Sequence, residues 1–504
     1  MRNLSTDRLP SLPGSLSPDV FSLPADGAAA DSISLQRTAH AGYYYRIHGR
    51  IFSVDPAASD IHFQVNLPVH WNGKMLQYGG GGFNGAVISG EYQLKWQRMC
   101  DPTPLEQGYA TFGSDSGHTG TVMDCSFALV EEELQNFAHQ SLKKVLDAAV
   151  QIVFAAYGEK PEKVYFAGGS NGGREALKAV QRYPDSYDGA VCMFPAVYMV
   201  PLMLANDDFY RRISRNENAG WIDPETYEKV TAAVMRTCDC LDGLQDGIVS
   251  DLAGAGNHAD EIWESVSDFL TAAQLKELKK TMQPYPLPYE HADGIKEVPV
   301  RSIFTGAPLI SRTINLYGPT PGGRDGYERE RCENAVRYLI AQDETYDTDS
   351  FRPEDWKERI REVSALIDAS DTDLDAYFAK GGKLILMHGT ADQLITVKSS
   401  IDYYERLLMR YGKRDLEQNM RFYLVPGYGH SKGGPFQMGA DMMKILDDWV
   451  CGGKAPDEII MHDENMETYG RIRPLYPYPD YAGFAGGDPD LASVYIRTRP
   501  GESL

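Results

Sequence analysis

KVYFAGGSNGGREALKAV, residues 163–180, changes character twice. Val164 to Ala167 is an apolar run of β-type residues. It ends in small residues, and from Arg174 onward helix formers take over. A strand, a tight glycine turn and a helix make up the repeating unit of a parallel, doubly wound α/β sheet. The flanks agree. Upstream, Leu134, Phe137, Ser141, Val145, Ala149, Ile152 and Ala156 fall on one helical face. Downstream, Ala190 to Met193 reads as the next strand. YYYRIHGRIFSV and IHFQVNLPV are β-rich, MLQYGGGGFNG ends a strand in glycines, and ATFGSDSGH repeats that pattern. After about residue 200 the alternation is lost among charged, helical and proline-rich segments. It returns at KLILMHGTAD, followed by a helix (SSIDYYERLLMRYG), a strand (RFYLV) and a helix (GADMMKILDDWV).

The simplest organisation is one α/β domain with a long insertion. An N-terminal arm covers residues 1–40, and 41–204 form the first part of the core. Residues 205–375 form the insert, and 376–504 complete the core and end in a Pro-, Gly- and Tyr-rich tail that wraps the surface. Apolar residues are 42% and charged residues 24% of the 504, which excludes disorder as a description of the whole. The net charge of −22 makes nucleic acid and anionic membrane poor partners. The longest uncharged apolar stretch lies between Asp188 and Asn206, and Pro195 and Pro201 interrupt it, so it reads as buried rather than membrane-spanning. The N-terminus lacks the apolar core of a secretory signal. Seven sparsely placed cysteines include no CxxC. Free thiols in a reducing, cytoplasmic setting are the expectation.

Gly168-Gly169-Ser170-Asn171-Gly172 matches G-x-S-x-G between a strand and a helix. In that context small residues are needed because the backbone crowds, and Ser170 is pushed out over the sheet edge as a nucleophile. A serine needs a base, and the base needs an orienting acid. Asp392 follows the strand KLILMHG and His430 follows RFYLV, in the order Ser, Asp, His and at the same sheet edge. His388 is a rival base, but the end of an apolar strand suits a core histidine better. Asp447 and Asp448 read as solvated positions on a helix. The oxyanion needs two N–H donors. Asn171 supplies one, and the glycine run 79–82 supplies the other from Gly81 or Gly82. No HExxH or paired-histidine motif suggests a metallohydrolase.

GGGGFNG, GGSNGGR, HGTAD-x-x-I, PGYGH-x-x-GG and the RPLYPYP tail, in this order over about residues 40–500, resemble the tannase/feruloyl esterase family. That family includes bacterial enzymes acting on aromatic-acid esters such as monohydroxyethyl terephthalate. The resemblance implies an α/β-hydrolase fold with a large lid inserted after the nucleophile region, and a Ser170–His430–Asp392 triad. It also implies a carboxylic ester of an aromatic, phenolic acid as the small-molecule substrate, cleaved through an acyl-enzyme. No catalytic cofactor is implied. An acyltransferase or thioesterase using the same triad, and a non-catalytic binding protein, are the alternatives. The family's usual cysteines before the serine and after the histidine are here Gly169 and Ser431, and a tail cysteine is Tyr476. Finally, the resemblance implies structural calcium in the lid. Its ligands would be the side chains of Asp239, Asp242 and Asp246 and the carbonyls of Leu244 and Ile248, in CDCLDGLQDGI.

Overall fold

The computed structural model describes residues 2–4, 14–39, 42–306, 320–323, 327–430 and 435–501. Its centre is a ten-stranded sheet. In chain order the strands are β1 (Ser15–Leu16), β2 (Ala28–Arg37), β3 (Tyr43–Ile51), β4 (Ile61–Pro68), β5 (Lys74–Tyr78), β6 (Ala110–Ser114), β7 (Lys163–Gly169), β8 (Gly189–Met193), β9 (Lys383–Gly389) and β10 (Met420–Val425). Across the sheet they run β10-β9-β8-β7-β5-β6-β4-β3-β2-β1. The six from β10 to β6 are parallel, and β4 to β1 continue as an antiparallel meander. This is the doubly wound α/β arrangement expected, and the C-terminal ends of β7, β9 and β10 share one edge.

Side-chain alternation divides the strands between two cores. Phe166, Ala190, Cys192, Leu384, Leu386 and Phe422 face one way, against α1 (Ser141–Tyr157), α2 (Asn171–Arg182) and α3 (Val397–Tyr411). Tyr165, Ala167, Val191, Ile385, Met387 and Tyr423 face the other, against α4 (Met442–Gly452). A parallel strand with both faces covered must be apolar throughout, which is why VYFA, AVCM and LILM look alike.

The excursion from the sheet begins immediately after β8, with the helix Met199–Ile213, and ends at Lys383. One part has a core of its own, including Phe209, Tyr227, Val230, Val234, Ile262 and Val266. Another packs Leu339, Ile340, Ile360 and Val363 against Phe83, Phe127, Leu134 and Phe137 of the sheet domain. Among the described residues no helix is long and apolar enough to cross a membrane.

Three local expectations change. The first 40 residues contain more than an arm, since β2 pairs with β3 along its length. The sequence AAADSISLQR lacks the apolar density that marks an interior strand, as suits a strand near the sheet margin. The tail forms short antiparallel ladders. Ile459–Asp463 pairs with Ile472–Leu475, and Tyr481–Phe484 with Tyr495–Thr498. Asp447 is not merely solvated: it accepts from Lys74 Nζ at 2.5 Å and Tyr165 OH at 2.6 Å. Asp448 pairs with Lys444 on an exposed helix face.

Candidate active site

The turn from β7 to α2 is built by close backbone approach. A Cβ on Gly168 would stand 2.4 Å from the carbonyl oxygen of Gly172, and one on Gly172 would stand 2.7 Å from that of Gly80. Neither position accepts a side chain. Between them Ser170 has φ 61° and ψ −124°, outside the regions open to ordinary residues. Such strain is held only where the surroundings over-determine it. Here Ser170 N–H donates to Met193 O at 3.1 Å, and Ser170 O accepts from the amides of Gly173, Arg174 and Ala196.

Ser170 Oγ lies 3.1 Å from His430 Nε2, and His430 Nδ1 lies 2.8 Å from Asp392 Oδ2. The three side chains expected from distant segments therefore stand in one hydrogen-bonded line. Asp392 Oδ1 accepts from the amides of Leu394 (2.9 Å) and Ile395 (3.0 Å). Burial by itself would push this carboxyl up, but the facing His430 and the hydrogen bonds from His388 and His430 hold it well below the usual carboxylate range. It is an acceptor-only anion at neutral pH. His388 is fully buried with Nδ1 on Ser400 Oγ and Nε2 on Ile395 O, so it is a satisfied core histidine. Its Nε2 is also 3.4 Å from Asp392 Oδ2.

The glycine loop crosses the start of α2. Gly80 O accepts from Gly172 N–H at 3.0 Å, which brings residues 79–82 beside the serine turn. Added Cβ atoms on Gly79, Gly80 and Gly82 would collide with Gly172, Asn84 and Val122 respectively, whereas one on Gly81 meets nothing within 4 Å. The Gly80 amide is occupied, donating to Glu175 Oε2 at 2.8 Å. Asn171 begins α2, where N–H groups lack intrahelical acceptors. Asn171 and the Gly81–Gly82 segment thus lie beside the serine turn.

Several supporting groups were not evident from the motifs. Glu175 is buried and accepts from Gly80 N, Asn84 Nδ2 (2.6 Å) and Asn171 Nδ2 (3.2 Å). Burial raises its pKa, while Arg174 and these donors oppose the rise. Arg174 is fully buried, and burial pulls it down to about 10. It donates to Asn171 Oδ1, to the carbonyls of Phe137 and Ala138, and to Ile367 O in the insert. His118 lies 2.8 Å from Phe83 O and stacks on Phe127. The acidic and basic residues after GGSNGG were the only sequence signal for any of these.

All seven cysteines are free. Gly169 has no room for a side chain: a Cβ there would stand 2.5 Å from the ring of Phe194. That ring packs edge-on against His430 at 4.8 Å, and behind it Trp96 touches both Phe194 and Tyr428. An aromatic contact thus bridges the serine turn and the histidine loop. Ser431 lies outside the described residues.

The 239–248 loop differs from the expected cage. Among the described residues no three His, Cys, Asp or Glu side chains stand close enough to hold a metal ion. Asp239 Oδ1 accepts from the amides of Asp246, Gly247 and Ile248. Asp242 Oδ1 accepts from Leu244 N–H. Asp246 Oδ2 accepts from Arg473 at 2.6 Å, with Arg471 at 3.7 Å. One oxygen is left over, because Asp246 Oδ1 is buried without a hydrogen-bond partner.

The family model for tannase and feruloyl esterase matches residues 45–498. An uncharacterized esterase of Agrobacterium fabrum is 35% identical over 94% of this chain and 90% of its own. A mono(2-hydroxyethyl) terephthalate hydrolase of Piscinibacter sakaiensis is 27% identical over 89% of this chain and 83% of its own. The crystal structure of feruloyl esterase B from Aspergillus oryzae superposes with a TM-score of 0.77 at 22% identity, covering 94% of this chain and 97% of that one.

Proposed function

The chain belongs to the tannase and feruloyl esterase family and is a carboxylic ester hydrolase, and from that premise we propose that it cleaves esters of aromatic acids through an acyl-enzyme formed on Ser170. The observation that carries the mechanism is the line Ser170 Oγ–His430 Nε2–His430 Nδ1–Asp392, at 3.1 and 2.8 Å. Ser170 attacks the ester carbonyl as His430 takes its proton. His430 then protonates the departing alcohol. Water, deprotonated by the same imidazole, releases the acid. Asp392 keeps the Nδ1 proton in place and stabilises the imidazolium. Asn171 N–H and an N–H of Gly81 or Gly82 take the oxyanion. The aromatic acid is supported by the hydrolase of mono(2-hydroxyethyl) terephthalate among the relatives, and the insert acts as the lid that selects it.

The test pairs aromatic with alkyl esters of one alcohol. Methyl ferulate is expected to exceed methyl butyrate at least tenfold in kcat/KM. With methanol as competing acceptor, two feruloyl esters of different alcohols should give one common ratio of methyl ester to free acid. Preference for the alkyl ester sinks the substrate class, and a ratio that follows the leaving alcohol sinks the shared acyl-enzyme.

Glu175 acts as a positioning residue for the oxyanion loop. Removing its carboxylate leaves Gly80 N–H, Asn84 and Asn171 without a common acceptor. Glu175→Ala is therefore expected to lower kcat by about 10²-fold, the order expected when catalytic groups shift by about 1 Å. KM should change little, and kcat measurements on a folded variant check it.

We further propose calcium at the 239–248 loop, through the Asp239, Asp242 and Asp246 side chains and the carbonyls of Leu244 and Ile248. Supporting it are the all-oxygen donor set and the unpartnered Asp246 Oδ1. Burial and the charge of Asp246 also push Asp242 up to about 6, a cost that a cation would relieve. An ion would have to draw these side chains closer than they stand. Chelation is expected to lower Tm by several degrees and leave kcat per folded molecule unchanged. An unaltered Tm would leave Arg473 as the loop's counter-charge.

A further inference from the structure

A cavity of about 620 Å³ lies apart from the triad, and neither Ser170, Asp392 nor His430 lines it. Four parts of the chain build it: the 250–256 and 302–305 segments of the insert, the first two turns of α3, Leu424 and Pro426 at the end of β10, and the tail from Pro474 to Ala482 with Arg499 and Pro500. Leu252, Phe304, Val397, Ile401, Leu424 and Leu475 give it an apolar wall. The volume falls within the range of sites that enclose small organic molecules.

The charged groups on its wall are unequally served. Asp480 accepts from Arg497 at 2.6 Å and Arg499 at 3.1 Å. Asp251 caps the helix Leu252–Asn257 by accepting from Gly254 N–H at 2.8 Å. Lys398 is half-buried, and among the described residues no carboxylate pairs with it. Burial lowers its pKa, with no opposing charge to restore it. It is also the second residue of α3, in the first turn after the Thr396 cap. A cation there meets the positive end of the helix dipole. A lysine held among apolar side chains, beside a helix start and without a counter-ion, is unfavourable by itself and becomes favourable when an anion enters.

We propose that this cavity is a binding site for a small organic carboxylate with an apolar body, its carboxylate on the Lys398 ammonium and its body against Phe304, Ile401, Leu424 and Leu475. A neutral molecule of the same shape would gain the apolar contact but leave the lysine uncompensated. A dianion would bring a second charge to a wall whose other cation, Arg499, already serves Asp480. The site thus selects one negative charge at the end of an apolar chain or ring.

Octanoate is the probe, titrated calorimetrically into the full chain after Ser170 has been blocked with a serine-directed fluorophosphonate, so that the catalytic site is closed. Saturable binding at one site is expected. Lys398→Met should weaken it at least tenfold and Lys398→Arg should largely preserve it, both with unchanged circular dichroism. 1-Octanol should bind at least tenfold more weakly than octanoate. Absence of saturable binding to the blocked wild-type protein, equal affinity in Lys398→Met, or octanol binding as tightly as octanoate would each overturn the proposal.

Discussion

Ser170→Ala is expected to lower kcat by about 10⁴- to 10⁶-fold, the loss seen when a triad serine is removed and only binding and oxyanion stabilisation remain. The neighbouring hydroxyl groups Ser116 and Ser114 are buried in the support of the glycine loop, where Ser116 Oγ accepts from Asn84 Nδ2. The fold should be unaffected, because the hydrogen bonds that hold residue 170 are made by its backbone. Alanine retains the β-carbon and therefore the strain at φ 61°. Ser170→Gly, equally inactive, removes that strain and is expected to raise stability by about 1 kcal/mol, the difference between relieved strain and the added freedom of the unfolded chain. Turnover and denaturant midpoints of the two variants read these effects separately. Residual activity within tenfold of wild type in either would exclude Ser170 as nucleophile.

Some of this site was legible in the sequence because its requirements are local. The crowding at Gly168 and Gly172 acts over a single turn, and it must be met by residues a few positions from the serine. Asp392 and His430 could be placed because strands in a parallel sheet end at one edge, so chain order was enough to bring them near Ser170. The rest depends on contacts that spacing does not encode. Glu175 meets Gly80 and Asn84 across 95 and 91 residues of chain, and a glutamate in the second turn of a helix looks like any solvated one. Phe194 could be read as the end of a buried strand, but its contact with His430 follows from the backbone turning at φ 33° just after β8. The strand Ala28–Arg37 was missed for a different reason. Its two large apolar residues, Ile33 and Leu35, are exposed and the rest of its length is small or polar, so no buried apolar face marks it. The same holds at Asp447, whose partners Lys74 and Tyr165 come from β5 and β7.

Asp392→Asn is expected to cost about 10⁴-fold in kcat, although it changes one atom and removes no contact by size. The reason lies in which oxygen can become nitrogen. Oδ1 accepts two backbone N–H groups, from Leu394 and Ile395, so the amide oxygen of the new side chain must stay there. Its NH₂ group is then forced into the Oδ2 position, 2.8 Å from His430 Nδ1. A donor facing Nδ1 requires that nitrogen to be the acceptor, which puts the imidazole proton on Nε2. Nε2–H at 3.1 Å from Ser170 Oγ cannot take the serine's proton. The variant therefore keeps the geometry and inverts the proton. The same substitution removes the negative charge that stabilises the imidazolium in the transition state. KM is expected to hold within a few-fold, because nothing that touches substrate has moved. The loss should also diminish at high pH, where hydroxide no longer needs the imidazole as a base. If the substituted amide could rotate, placing its oxygen on His430, the two backbone amides would face an NH₂ group and about 1–3 kcal/mol of unsatisfied burial would follow. That alternative restores the tautomer without the charge, so it predicts a smaller loss of turnover together with lowered stability. Measuring kcat and the unfolding midpoint on the same preparation distinguishes the two, and turnover within tenfold of wild type at unchanged stability would show that Asp392 does not orient the histidine.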